Sequence, residues 1–189
     1  ITANVWMAIS AVCCQALLRH RDAVDGELRQ KIDEAIDRGE RYLADESRVN
    51  RGRNEDVYAD AYRLDYLAHR MKTIPAGPYR KQMRKLMSSL VRKSGDRQDD
   101  AGFWAHEYAN AFCTAVMVQG LLAARTAGTL VPKAILTKAG ESIVAARATD
   151  GSFSYGGIAR RKPSAKSLVN SSTRMPLCES ALFHLGLSD

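Results

Sequence analysis

A chain of 189 residues, 46% of them hydrophobic, carries enough apolar material for one compact core and is not the composition of a disordered protein. No apolar run approaches the roughly 18 residues of a membrane span, because Ser10, Gln15, Thr114 and Gln119 interrupt the longest candidates, so a soluble protein is expected. The net charge of +7 is gathered into a cluster between His69 and Gly95 and a second one of Arg160, Arg161, Lys162, Lys166 and Arg174, and it comes with no aromatic sheet motif, helix-turn-helix pattern or zinc spacing, which disfavours nucleic acid as a partner.

The chain opens at Ile1, not Met, inside a helical pattern, and reads as a piece of something longer. Val5 to Arg19 is apolar on most faces, the mark of an inner helix, and Asn4 is placed to cap it. Glu27 to Ala44 keeps one stripe of Leu28, Ile32, Ile36 and Leu43 among charges, so it is expected outside. A polar turn with Gly52 follows, and Asp56 then repeats the capping part of Asn4 before a second inner helix, Val57 to Met71. Pro75, Gly77 and Pro78 stop that helix.

Tyr79 to Lys93 reads as a basic outer helix with the stripe Met83, Leu86, Met87, Leu90 and Val91. Ala111 to Arg125 is apolar on nearly every side and must be buried; Pro132 to Ala148 shows a single stripe and lies outside. A long loop from Ser154 to Met175 leads to a last helix, Leu177 to Leu187, with Pro176 in its first turn. Four cysteines, Cys13, Cys14, Cys113 and Cys178, sit in apolar helical runs without C-x-x-C spacing and read as buried free thiols.

Asn4, Asp56 and Asn110 stand 52 and 54 residues apart, and the turn glycines Gly52, Gly102 and Gly151 stand 50 and 49 apart. A period near 50 with two helices per unit predicts an all-α domain, residues 1–189, of about three and a half stacked αα-hairpins, either an open solenoid or part of a closed double-layered ring.

Gln98, Gly102 and Trp104 form Q-x-x-x-G-x-W, and Gly151 and Phe153 occupy the corresponding place in the next unit. The pattern resembles the repeat of the squalene and hopene cyclase and protein prenyltransferase β-subunit superfamily. That resemblance implies an (α/α)6 toroid in which Gln98, Gly102, Trp104, Gly151 and Phe153 are structural staples between repeats, and it implies an isoprenoid or similar apolar ligand held in the ring interior. The catalytic motifs do not carry over. Gln98-Asp99-Asp100 is not the D-x-D-D proton donor of the cyclases, and Asn110-Ala111-Phe112-Cys113 has an amide where the prenyltransferase zinc site has an acid.

Three residues are candidates for acid/base work. Asp60 is an acid on an inner helix with little water around it, to be satisfied either by a partner such as Arg63 or by a catalytic role. His106 and Glu107 stand in the loop before Asn110, where adjacent base and acid could face a ring mouth or merely meet solvent. Tyr58, Tyr62 and Tyr66 recur every four residues, an aromatic stripe that either lines a ligand cavity or packs core. Cys178 and His184 would need further ligands to hold zinc, so no metal and no cofactor are assigned. Two functions are therefore expected to compete. One is a toroid protein binding an apolar small molecule, with basic segments available to an anionic membrane surface. The other is a noncatalytic helical-repeat module that binds a protein or peptide through its end loops.

Overall fold

The computed structural model describes residues 1–52, 55–155 and 169–188, and within them the protein is mostly helical. Among the described residues seven α-helices of eleven or more residues follow in order: α1 (Ala3–His20), α2 (Gly26–Ala44), α3 (Asp56–Arg70), α4 (Pro78–Gly95), α5 (Ala111–Thr126), α6 (Lys133–Ala145) and α7 (Met175–Leu185). Between α4 and α5 runs a small antiparallel hairpin, β1 (Trp104–His106) and β2 (Tyr108–Asn110). The segment holding His106 and Glu107 is thus a strand pair and not the expected loop. Its register, Trp104 opposite Asn110 and His106 opposite Tyr108, leaves Glu107 alone at the tip with φ 61°. Among the described residues no helix is long and apolar enough to cross a membrane.

The odd-numbered helices form a continuous series, α1 against α3, α3 against α5 and α5 against α7, while α2, α4 and α6 pack against α1, α3 and α5. This is the alternation expected from the apolar patterns. α5 shows its physical basis: Cys113, Ala115, Met117, Val118 and Leu121 are buried because helices cover it on both sides and behind. At its middle, Gly120 lets α3 approach so closely that a Cβ there would lie 2.6 Å from the Ala61 carbonyl oxygen.

α1, expected as an inner helix apolar on most faces, leaves part of its apolar surface uncovered. Its principal neighbours are α2 and α3, so Trp6, Ile9, Val12 and Cys13 are left exposed, and Cys13 is not a buried thiol as Cys14, Cys113 and Cys178 are. Two caps also differ. Thr2, whose hydroxyl accepts from the Val5 N–H, caps α1, and Asn4 lies inside the first turn, pairing with the backbone of Asn50 at 2.9 and 2.8 Å. Asp56 is the first residue of α3, and its carboxylate accepts from the Gly52 N–H at 2.8 Å instead of capping its own helix. In both cases a tertiary partner competes successfully with the local cap. Asn110 does cap α5, accepting from Cys113 N–H at 2.9 Å.

The two turns after α4 and α6 share one hydrogen-bond pattern: Asp99 N–H to Phe103 O and Gly102 N–H to Asp99 O in the first, Ala148 N–H to Ser152 O and Gly151 N–H to Ala148 O in the second. Gly102 and Gly151 have φ of 93° and 80°, where side chains are strained. Residues 156–168, which include most of the Ser154 to Met175 segment and Arg160, Arg161, Lys162 and Lys166 of the second basic cluster, lie outside the described residues.

Candidate functional site

Asp60 is wholly buried, and so is Arg63 one turn later on α3. Arg63 donates to Asp60 Oδ1 at 2.7 Å and to Glu46 Oε1 at 2.5 Å, and it also reaches the Leu43 and Ala59 carbonyls. Arg51 bridges the second oxygen of Asp60 to Glu46, Arg97 pairs with Asp56, and Lys93 pairs with Glu46. Three carboxylates therefore meet four cations where the turn after α2, the start of α3 and the end of α4 converge. Burial works against the charge on Glu46, but hydrogen bonds from Lys93, Arg63 and Arg51 outweigh it and hold its carboxyl at about 2. For Asp56 burial wins over Arg97, and its pKa is raised. Both oxygens of Asp60 face guanidinium groups, the arrangement of a buried ion pair.

His106 and Glu107 diverge although adjacent in sequence. Glu107 is exposed at the hairpin tip, whereas His106 is half-buried, its ring 5.6 Å from that of Tyr58 and its Nε2 4.0 Å from Glu55 Oε1. Glu55, 51 residues upstream, is the acid the fold brings to His106, and spacing along the chain carries no signal of that pairing. Tyr58 touches Cys113 Sγ at 3.2 Å; burial and this contact raise the pKa of its phenol, and burial raises that of the Cys113 thiol.

The tyrosine stripe divides among three environments, because a helix turns about 40° beyond a full circle every four residues. Tyr66 is core, its hydroxyl donating to the buried Glu40 at 2.5 Å; Tyr62 is 37% exposed; Tyr58 lies between. Glu40 also accepts from Tyr79 and from Arg70, so its oxygens are satisfied.

The incompletely buried positions of the inner helices recur at equivalent places. On α1 they include Val5, Ile9, Val12 and Ala16; on α3 Tyr58, Tyr62, Asp65 and His69; on α5 Phe112, Gln119 and Ala123. The α1 and α3 sets share the spacing i, i+4, i+7, i+11 that puts residues on one helix face and stand 53 residues apart, and the α5 set keeps i, i+7 and i+11, its i+4 position being the buried Val116. Gln15 donates to Asp65 at 2.9 Å, tying the first strip to the second, and Tyr58 meets Phe112 at a ring distance of 6.3 Å, tying the second to the third. The result is one connected surface, rich in aliphatic and aromatic groups, across three helices. At its far end Gln119, Leu122, Ala123, Arg125, Thr126 and His184 line a cavity of about 490 Å³ between α5 and α7.

The turn-motif residues occupy a junction of helices. The Gln98 side-chain amide donates to the carbonyls of Gly102 and Ile135, both at 3.0 Å; the Trp104 indole is buried and donates to Ser94 O at 2.8 Å; the Trp104 backbone donates to Thr114 Oγ1. Phe153 is buried and bridged to Arg147 in the corresponding turn, beside Gly151. Among the described residues no group of three His, Cys, Asp or Glu side chains is poised to hold a metal ion. Comparison with protein-family models, with curated proteins and with solved structures yields no match for this chain.

Proposed function

We propose that this is a noncatalytic helical-repeat protein, an arc of αα-hairpins of the toroid or solenoid kind, that holds an isoprenoid or similar apolar ligand against the connected strip of α1, α3 and α5. The observation that carries this reading is the recurrence of the exposed strip at repeat-equivalent positions of α1 and α3, Val5 with Tyr58 and Ile9 with Tyr62, continued onto α5 by the half-buried Phe112 against Tyr58. The noncatalytic part rests on Asp60, which is committed to Arg63 and Arg51, and on Glu107, which the hairpin tip holds away from His106.

Titration with farnesol, followed by the emission of the half-exposed Trp6 and by amide chemical shifts, tests the reading. Saturable binding that is lost in Tyr62→Asp is the expected result. Absence of binding up to the solubility limit, or binding indifferent to Tyr62→Asp, overturns it. The second reading, a module that binds a protein through its end loops, is favoured by Leu130, which stands 88% exposed between α5 and α6.

A further inference from the structure

The cavity between α5 and α7 has a composition unlike the rest of the strip. Leu122 and Ala123 supply apolar lining, Gln119 and His184 supply polar groups, Arg125 supplies a guanidinium, and no acid lines it. Arg125 is exposed and in no ion pair among the described residues. The end of α5 also offers few free acceptors: the carbonyls of Leu122, Ala123, Ala124 and Arg125 already accept from Thr126 Oγ1 and from the N–H groups of Ala127, Thr129 and Gly128. Donors therefore outnumber acceptors around the cavity.

We infer that this cavity is an anchoring site for a monocarboxylate with an apolar chain, the carboxylate taken by Arg125 with Gln119 and His184, and the chain laid over Leu122 and Ala123 toward the strip. The inference rests on the proposed apolar-ligand reading and adds the polar end of the ligand to it. Its charge follows from the lining. One guanidinium matches one negative charge, whereas a diphosphate would leave most of its charge uncompensated there. A cavity of about 490 Å³ lies in the range of small-molecule sites and accommodates a short chain.

Decanoate, decanol and decyltrimethylammonium, each below its micellar concentration, are titrated against the folded protein and followed by isothermal calorimetry and amide shifts of α5 and α7. Decanoate is expected to bind about tenfold or more tighter than decanol, consistent with one charge-assisted guanidinium contact, and the cationic amphiphile weakest. Arg125→Ala is expected to reduce decanoate to the affinity of decanol; Arg125 is exposed, so the variant keeps its melting temperature. His184→Gln is expected to weaken decanoate severalfold while leaving decanol unchanged. Decanol equal to decanoate, with binding still abolished by Tyr62→Asp, overturns the carboxylate site and leaves the apolar-ligand reading standing. Failure of all three amphiphiles overturns both. Decanoate binding unaffected by Arg125→Ala overturns the site even if the affinity order is as expected.

Discussion

Arg63→Met is the most informative single perturbation of this fold. Arg63 is wholly buried, and its three nitrogens serve Asp60, Glu46 and the Leu43 and Ala59 carbonyls. Methionine roughly fills the volume of the stem but removes every donor, leaving the buried Asp60 carboxylate to Arg51 and to Arg97 at 3.7 Å, and leaving the Leu43 carbonyl near the end of α2 without that donor. Removing one partner of a buried ion pair costs about 3–5 kcal/mol. Against a total stability on the order of 10 kcal/mol, and with each kcal/mol worth about 2–4 °C in a domain of this size, the melting temperature should fall by about 6–20 °C. Urea denaturation and thermal circular dichroism measure this directly, with Arg48→Ala as the control: the Arg48–Asp45 pair is exposed at 54% and 39% of its side chains and should contribute little. If Arg63→Met costs no more than Arg48→Ala, the buried network is not what joins α2, α3 and α4, and Asp60 returns to consideration as a functional acid.

Three further outcomes are expected. Trp104→Ala should cost about 3–5 kcal/mol in urea denaturation, since it empties a buried site and frees the Ser94 carbonyl, and Gly102→Ala should destabilise as well, because its Cβ would lie 2.4 Å from the Lys138 carbonyl oxygen at a φ of 93°. The folded carboxyl of Glu46 titrates at about 2 instead of 4.5, so its contribution is complete above about pH 4.5 and disappears as pH falls toward 2; the raised pKa of Asp56 acts in the opposite sense. Urea midpoints should therefore fall as pH drops from about 5 toward 2, and the fall should be smaller in Glu46→Gln. Lys81, Arg84, Lys85 and Arg92 project from α4 while Met83, Met87, Leu90 and Val91 are buried beneath, so any contact with anionic vesicles is electrostatic and without insertion. Sedimentation with such vesicles should show weak binding that fails at high salt and in the double variant Arg84→Glu, Lys85→Glu; equal binding to neutral vesicles removes the basis for it.

The alternation of inner and outer helices was legible in the sequence because it is written in local periodicity: α5 is apolar on nearly every side and α4 on one stripe, and burial follows from that difference. The turn glycines were legible for the same kind of reason, since Gly102 and Gly151 answer a backbone requirement carried by a few neighbouring residues. What the sequence could not determine was pairing at a distance. Asn4 and Asp56 have the chemistry of helix caps, yet the Asn50 backbone and Gly52 N–H claim them, because a buried polar group takes whichever partner the fold brings within reach. His106 meets Glu55 and not its neighbour Glu107, because strand pairing turns the hairpin tip outward. The exposure of α1 was equally beyond local reading: its composition is that of a buried helix, and only the positions of its neighbours decide which face is left to solvent.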